Sequence, residues 1–283
     1  MPLCTIHLIA LHSTAPQHLQ TFLSTLDDAN ISPLVASRVI RWIILPSALS
    51  TEHLLARNIR WDILLILLGT NTLPSAFVPL IQHHWDITAG VPSRLVQDFA
   101  AKNKTLLHPE PNSVPKHSGA LDNTHTTASA QDLELSGELR DWVGKFYHGG
   151  GAEGRGAVSM FNLLSFKPGM KESYLEYGKA FASHVGKSHG GNAKIVGGVT
   201  AVNGVDRGKG TGDGEGWDEV ALAHYPSILH FAEMLANTDY QDANKRYRVP
   251  ALRDTAILMT SEIEVEDMMM SGMGGNGDVK GKL

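Results

Sequence analysis

Strand-length apolar runs alternate along this chain with stretches whose apolar residues recur at helical spacing. Residues 5 to 12, Thr-Ile-His-Leu-Ile-Ala-Leu-His, read as a strand, and Pro16 to Ala29 place Leu19, Phe22, Leu23 and Leu26 on one helical face. Val35 to Leu45 is rich in Val and Ile, and Trp61 to Leu68 is a continuous apolar run of the kind a strand buried on both faces shows. A second helix is expected from near Pro74, with Phe77, Leu80, Ile81 and Trp85 on one stripe. The order is then βαββα, and the fourth strand of this half is unclear, because Val96 to Lys104 could as easily be helical.

The same order returns after residue 156. Ala157 to Phe166 reads as a strand, Lys171 to Lys187 as a helix, Ala193 to Val202 and Asp218 to Tyr225 as strands, Ile228 to Tyr247 as a helix and Thr255 to Val265 as a closing strand. That is βαββαβ, a split βαβ module. Trp61-Asp62 and Trp217-Asp218 open the third strand of each half, and Val91-Pro92 and Val249-Pro250 follow each second helix, at a nearly constant offset. A tandem repeat predicts such an offset. The fold class expected is therefore α+β, two ferredoxin-like modules in tandem forming a pseudo-dimer within one chain.

The expected divisions are a divergent module over 1–107, a flexible linker over 108–130, a docking helix and Gly-rich connection over 131–156, the second module over 157–266 and a disordered tail over 267–283. His108 to Thr127 is dense in Pro, His, Asn, Ser and Thr, which bury little. Leu135, Leu139, Trp142, Val143 and Phe146 fall at helical spacing, before Gly149-Gly150-Gly151 frees the chain. The Gly-rich loop 203 to 216 and the Met- and Gly-rich end read as unstructured.

Composition narrows the function. With 283 residues, 42% hydrophobic and 19% charged, the chain suits about two globular domains. A formal net charge of -5, with no Lys/Arg cluster interleaved with aromatics, argues against nucleic acid. Cys4 is the single cysteine, so no intrachain disulfide or cysteine-based zinc site can form, and a reducing compartment is the expectation. The N-terminal run lacks the basic start of a signal peptide, and no run reaches the roughly 18 apolar residues of a membrane span. A cytoplasmic protein without membrane partners follows as an expectation.

Residues 157 to 262 carry a longer pattern. It comprises Phe161-Asn162-Leu163-Leu164-Ser165-Phe166, Tyr174-Leu175-Glu176-Tyr177-Gly178, Gly190-Gly191, Trp217-Asp218-Glu219-Val220-Ala221-Leu222, Tyr225-Pro226-Ser227, Met234-Leu235, Asp239-Tyr240-Gln241, Arg248 and Ala251-Leu252-Arg253-Asp254-Thr255. In order and spacing this stretch resembles the Domain of Unknown Function 1330 family of the dimeric α+β barrel superfamily. The resemblance implies two sheets that face each other to close a barrel, usually from two chains, here from two halves of one. Whether the fused halves also form a homodimer is left open. The resemblance implies no reaction, because related barrels include cofactor-free monooxygenases, isomerases, haem enzymes and proteins of unknown activity.

Candidate chemistry lies in the second half. Asn162 shares strand parity with Met160 and Leu164, and His224 with Val220 and Leu222, so each interrupts an apolar face. The two are expected to meet beneath the helices, whereas the first half places leucines, Leu8 and Leu68, at about the matching positions. Tyr174, Tyr177, Phe181 and His184 form one helical stripe, an arrangement that is ordinarily core. Arg248 could clamp a carboxylate or pair with an acid nearby. The expected site therefore has His224 and His184 as acid or base, with Asn162, Tyr174, Tyr177 and Arg248 binding substrate. The substrate expected is a small apolar metabolite, with no cofactor, in an enzyme of proton transfer, cyclisation or oxygenation; the alternative is a non-catalytic binding or assembly module. The 14 histidines show no metal-ligand spacing: His83 and His84 are adjacent and point apart. Haem is left open, because a lone axial histidine has no spacing signature. Gly149-Gly150-Gly151 and Gly208 to Gly216 do not join a strand to a helix, so no nucleotide loop is expected.

Overall fold

The structure is a computed structural model that describes residues 1–12, 17–49, 54–55, 58–69, 72–122, 126–208 and 216–274, without the side chains of His184, Val185 and 272–274. The strands are β1 (Leu3–Leu11), β2 (Val35–Ile44), β3 (Ile63–Leu68), β4 (Ile81–Gly90), β5 (Val158–Phe166), β6 (Asn192–Val202), β7 (Val205–Asp206), β8 (Glu219–Tyr225) and β9 (Leu252–Ser261). Between them lie helices α1 (His18–Asp28), α2 (Ser93–Val96), α3 (Phe99–Leu107), α4 (Gly137–Gly149), α5 (Gly151–Arg155), α6 (Lys171–Ala180), α7 (Ile228–Ala236), α8 (Thr238–Ala243) and α9 (Ile263–Gly274).

Among the described residues the fold is mixed α+β on one antiparallel sheet of nine strands. Its order is β4-β1-β3-β2-β9-β5-β8-β6-β7, and β4 also pairs with β6, so eight strands close on themselves and β7 extends β6 as a hairpin. Each half has the order fourth-first-third-second, and the second strand of each half pairs with the fourth of the other: β2 with β9 and β6 with β4. Closure leaves no free edge on these eight strands. At the β4–β6 seam a Cβ on Gly197 would lie 2.9 Å from the Gly90 carbonyl oxygen, so glycine is required by close approach of backbones. The register of β6 against β8 shifts between Ala193 and Ile195.

Alternation sorts the strands into two layers. Inside the closed sheet pack Ile6, Leu8, Leu64, Ile66, Trp85, Ile87, Phe161, Leu163, Val220, Leu222, Ala256 and Leu258, with the two tryptophans Trp61 and Trp217 among them. The next residue repeats a bonding pattern in each half. Asp62 Oδ2 accepts from Leu11 N at 2.8 Å, its N–H donates to Ile9 O and its carbonyl accepts from Val39 N. Asp218 Oδ2 accepts from Phe166 N at 2.5 Å, its N–H donates to Leu164 O and its carbonyl accepts from Val199 N. In both halves one aspartate ties the end of the first strand to the second strand at the entry to the third.

Outside the sheet the halves differ. Over the second half, α4, α6, α7 and α8 bury Val158, Met160, Ile257 and Met259 beneath Leu139, Val143, Phe231, Met234 and Tyr240. Over the first half, Phe22, Leu23 and Leu26 of α1, Phe77 and Val265 of α9 cover Ile9, Leu11, Ile63, Leu65 and Leu67.

Several expectations are corrected. The stripe Phe77, Leu80, Ile81, Trp85 is no helix: only the short 3₁₀ turn Ser75–Phe77 forms, and 81–90 is the fourth strand of the first half. Residues at 77, 81 and 85 satisfy helical spacing, but Trp85, Ile87 and Ala89 also alternate with His84, Asp86 and Thr88, and pairing on both sides selects the strand. Val96 to Lys104 falls on α2 and α3, so it supplies no strand. Val91-Pro92 follows the fourth strand whereas Val249-Pro250 precedes it, so these two dipeptides are not equivalent. The second helix of the second half is broken at Asn237, whose Oδ1 accepts from Tyr240 N at 2.9 Å and caps α8. Residues 115–119, in the segment read as a linker, dock on α7: Ser118 N and Gly119 N donate to the Glu233 carboxylate, and His230 Nε2 lies 3.0 Å from Pro115 O. The Gly-rich loop begins as an ordered hairpin, with Asn203 and Gly204 at φ 47 and 73 between β6 and β7. Past Asp267 the chain stays helical to Gly274.

Candidate functional site

The residues expected to act together divide between two faces of the sheet. Tyr174 and Tyr177 do meet Arg248. On α6 their rings lie 5.5 Å apart, and Tyr177 Oη shares a hydrogen bond of 3.0 Å with Tyr240 Oη of α8. Arg248, 1% exposed, donates from Nη2 to Thr255 Oγ1 at 3.3 Å, and that hydroxyl donates onward to Leu163 O. Burial pushes the phenols of Tyr174, Tyr177, Tyr225 and Tyr240 up, against the opposing pull of the Arg248 guanidinium that faces all four. They stay neutral at physiological pH. Phe166, Phe181 and Phe231 complete this aromatic layer.

Asn162 lies on the same outer face but is committed locally, donating from Nδ2 to Met160 O of its own strand at 2.8 Å. His224 is on the opposite face, inside the closed sheet, between Ser159 of β5 and Asn192 of β6. The expectation that Asn162 and His224 meet is therefore wrong. Their parities already differ, because β5 and β8 pair Asn162 with Ala221, which places His224 in register with Ser159. His184 lies on the π-helical turn Phe181–Val185 that continues α6, and its side chain is outside the described residues.

His224 sits in a buried polar cluster that spacing did not reveal. It is 1% exposed, its Nδ1 has no hydrogen-bond partner among the described residues, and burial, helped by Lys194 and His230, lowers its pKa to about 3. Nearby, Lys194 of β6 pairs with the Glu262 carboxylate, which also accepts from Asn103 Nδ2 of α3 at 2.6 Å. The cluster is sealed, with Lys194 and Glu262 each at most 5% exposed.

An open site lies on the first half. Where the expected second helix is replaced by the Ser75–Phe77 turn, the outer face of β1 and β4 opens into a cleft of about 680 Å³. One wall is apolar: Leu73, Pro74, Phe77, Val78 and Ile81. The other is polar: Thr5, His84, Asp86 and Thr88, closed by the hairpin tip Asn203-Gly204 of the second half. The β1–β4 register sets this wall, placing His7 opposite Asp86 and Thr5 opposite Thr88. Thr5 Oγ1 and Thr88 Oγ1 are 3.3 Å apart, and His7 Nδ1 is 2.9 Å from His84 Nε2. Asn203 fixes Asp86 by accepting from its N–H through Oδ1 and donating to its carbonyl. His7 is buried and its Nε2 has no partner among the described residues; burial and the neighbouring His84 lower its pKa to about 3. Burial also lowers His84, against the pull of Asp86. Both rings are neutral at pH 7 and offer lone pairs.

Sequence reasoning missed this wall because its members come from strands 77 residues apart in the chain. The signal available was period two over His84, Asp86 and Thr88, which the helical reading of that segment concealed.

The chain matches no family model and no curated protein. Solved structures similar to it include a protein of unknown function from Rhodopseudomonas palustris, 24% identical over 42% of this chain and 89% of that one, with a TM-score of 0.32. The methylated form of that protein gives 24% identity, 42% and 87% coverage and a TM-score of 0.33. A putative chlorite dismutase is 12% identical over 96% of this chain and 99% of that one, with a TM-score of 0.43.

Proposed function

We propose that this protein binds a small molecule in the cleft on the outer face of β1 and β4. The observation that carries the reading is the cleft itself: about 680 Å³, with one apolar wall and convergent hydroxyl, imidazole and carboxylate groups on the other. Small-molecule sites commonly take this form, in volumes of roughly 300 to 1,000 Å³. Asp86 and the neutral His84 are acceptors, so the ligand presents a hydroxyl or amine to them and an apolar body to Phe77 and Ile81. The origin proposed is tandem duplication, supported by the shared strand order and the matched bonding of Asp62 and Asp218. On this view the second copy keeps its helices and the first gave up one of them to open a site.

A catalytic reading is favoured by one feature, the His7–His84 contact, along which a proton could pass between two rings. Binding needs no such step and is the reading adopted.

The test is a thermal-shift screen of hydroxylated and amine metabolites in EDTA, paired with native mass spectrometry of protein from its own cells. A hit should lose its shift in Asp86→Ala and Thr88→Val and keep it in Tyr177→Phe. No hit and no retained ligand, or a shift lost only in Tyr177→Phe, would place any ligand elsewhere.

A further inference from the structure

We infer that His7, His84 and Asp86 form a binding site for a divalent first-row transition metal ion, zinc or iron in class. One ligand atom from each of the three lies within 4.8 Å of the other two, close enough that a modest movement of the side chains lets all three reach one ion at about 2.1 Å from each donor. The donor set is two imidazoles and a carboxylate. Such a set suits zinc, iron, cobalt and nickel, whereas magnesium and calcium prefer oxygen ligands throughout.

Two further observations point the same way. The rings of His7 and His84 are inclined by 21° with centroids 5.1 Å apart, and their facing nitrogens compete for one proton between them. An ion takes the place of that proton, which moves to the far nitrogen of the ring that donated it, once His84, which is exposed, swings its lone pair toward His7 and Asp86. Finally, Asp86 is fixed through its backbone by Asn203 on both its N–H and its carbonyl, which leaves the carboxylate free to point at the cleft. His84 and Asp86 line the cleft, so coordination positions the protein does not fill open onto it. An ion there would present a Lewis acid to a ligand hydroxyl or amine in the cleft.

The inference stands apart from the organic ligand, because metal binding is measured without one and the ligand screen is run in EDTA. The experiment strips the full-length protein with EDTA and titrates it with Zn(II) and Co(II), reading stoichiometry by elemental analysis and geometry from the visible absorption of Co(II). One equivalent per chain is expected. His84→Ala and Asp86→Asn should each weaken binding by about 100-fold, and His83→Ala, whose side chain leaves the other face of the same strand, should leave it unchanged. Far-ultraviolet circular dichroism confirms that each variant is folded, and Asp86→Asn preserves both backbone bonds to Asn203. Failure of stripped wild type to bind an equivalent, or equal affinity in wild type, His84→Ala and Asp86→Asn, overturns the site and assigns any residual metal to the other histidines.

Discussion

The outer faces of the two halves begin from the same strand order and end in opposite conditions. On the second half, α6, α7 and α8 close over the sheet, and the polar groups beneath them, Tyr177, Tyr240, Arg248 and Thr255, satisfy one another in a sealed layer. On the first half a three-residue turn stands where a helix would pass, and the polar groups His84 and Asp86 border an open cleft, with the buried His7 in contact with His84. Polar residues under a sheet therefore do not mark a site by themselves. What decides is whether the covering helix is present, since it either completes their hydrogen bonds or leaves them to a ligand.

The contrast breaks most visibly under truncation of the sealed face. Tyr240→Ala removes a fully buried ring and leaves the Tyr177 hydroxyl without its partner, so it should cost about 4 kcal/mol in a urea melt. Tyr240→Phe keeps the ring and should cost about 1 kcal/mol. Similar losses for the two variants would mean that the hydroxyl pair, not packing, holds this face. A smaller effect tests whether the halves share a frame. Asp62→Ala and Asp218→Ala each remove a carboxylate that accepts a backbone N–H at the end of a first strand, and each should cost about 2 kcal/mol. Costs differing by more than about 1 kcal/mol would show that the matched bonds do unequal work.

Much of the frame was legible in sequence, and for a physical reason. Strands buried on both faces, as β3 is up to Leu67, must be apolar throughout, and the helices between them must be amphipathic, so period and length identify both. Trp61-Asp62 and Trp217-Asp218 stood out as matched landmarks because an aspartate at a strand entrance has a bonding job that few residues can perform. The site was not legible. His7 and His84 become neighbours only through the β1–β4 pairing, and register is a property of two strands at once. Tyr174, Tyr177 and Arg248 lie together because α6 and the π-helical turn Asn244–Arg248 pack directly against each other. His224 was misplaced by reading two strands for polarity without first fixing which residues of each face the same side.

Acid sharpens the comparison between sealed and open polar groups. His224 titrates near 6.5 when unfolded and about 3 when folded, faced by Lys194 with its partner Glu262 and by His230. Between those values the unfolded chain binds more protons, so His224 makes stability fall as pH drops below 6.5, by up to about 1.4 kcal/mol per pH unit. Above pH 6.5 this dependence vanishes. His224→Leu should therefore flatten the slope of unfolding free energy against pH between 6 and 4 by about one proton, as read from denaturant melts. An unchanged slope would mean that His224 is already charged in the folded protein.

The smallest expected effect concerns the open face and is the most discriminating. His84 is exposed, and its ring contacts His7 without supporting the core, so His84→Ala should change stability by no more than about 0.5 kcal/mol. A structural polar group resists removal, as Arg248 would, whereas a group held for a ligand is dispensable to the fold. If His84→Ala instead destabilised the protein by about 2 kcal/mol, the His7–His84 bond would be a brace across β1 and β4, and the cleft would be a by-product of the missing helix. If stability holds while Zn(II) binding and the ligand shift both disappear, the same substitution separates what the first half keeps for folding from what it keeps for binding.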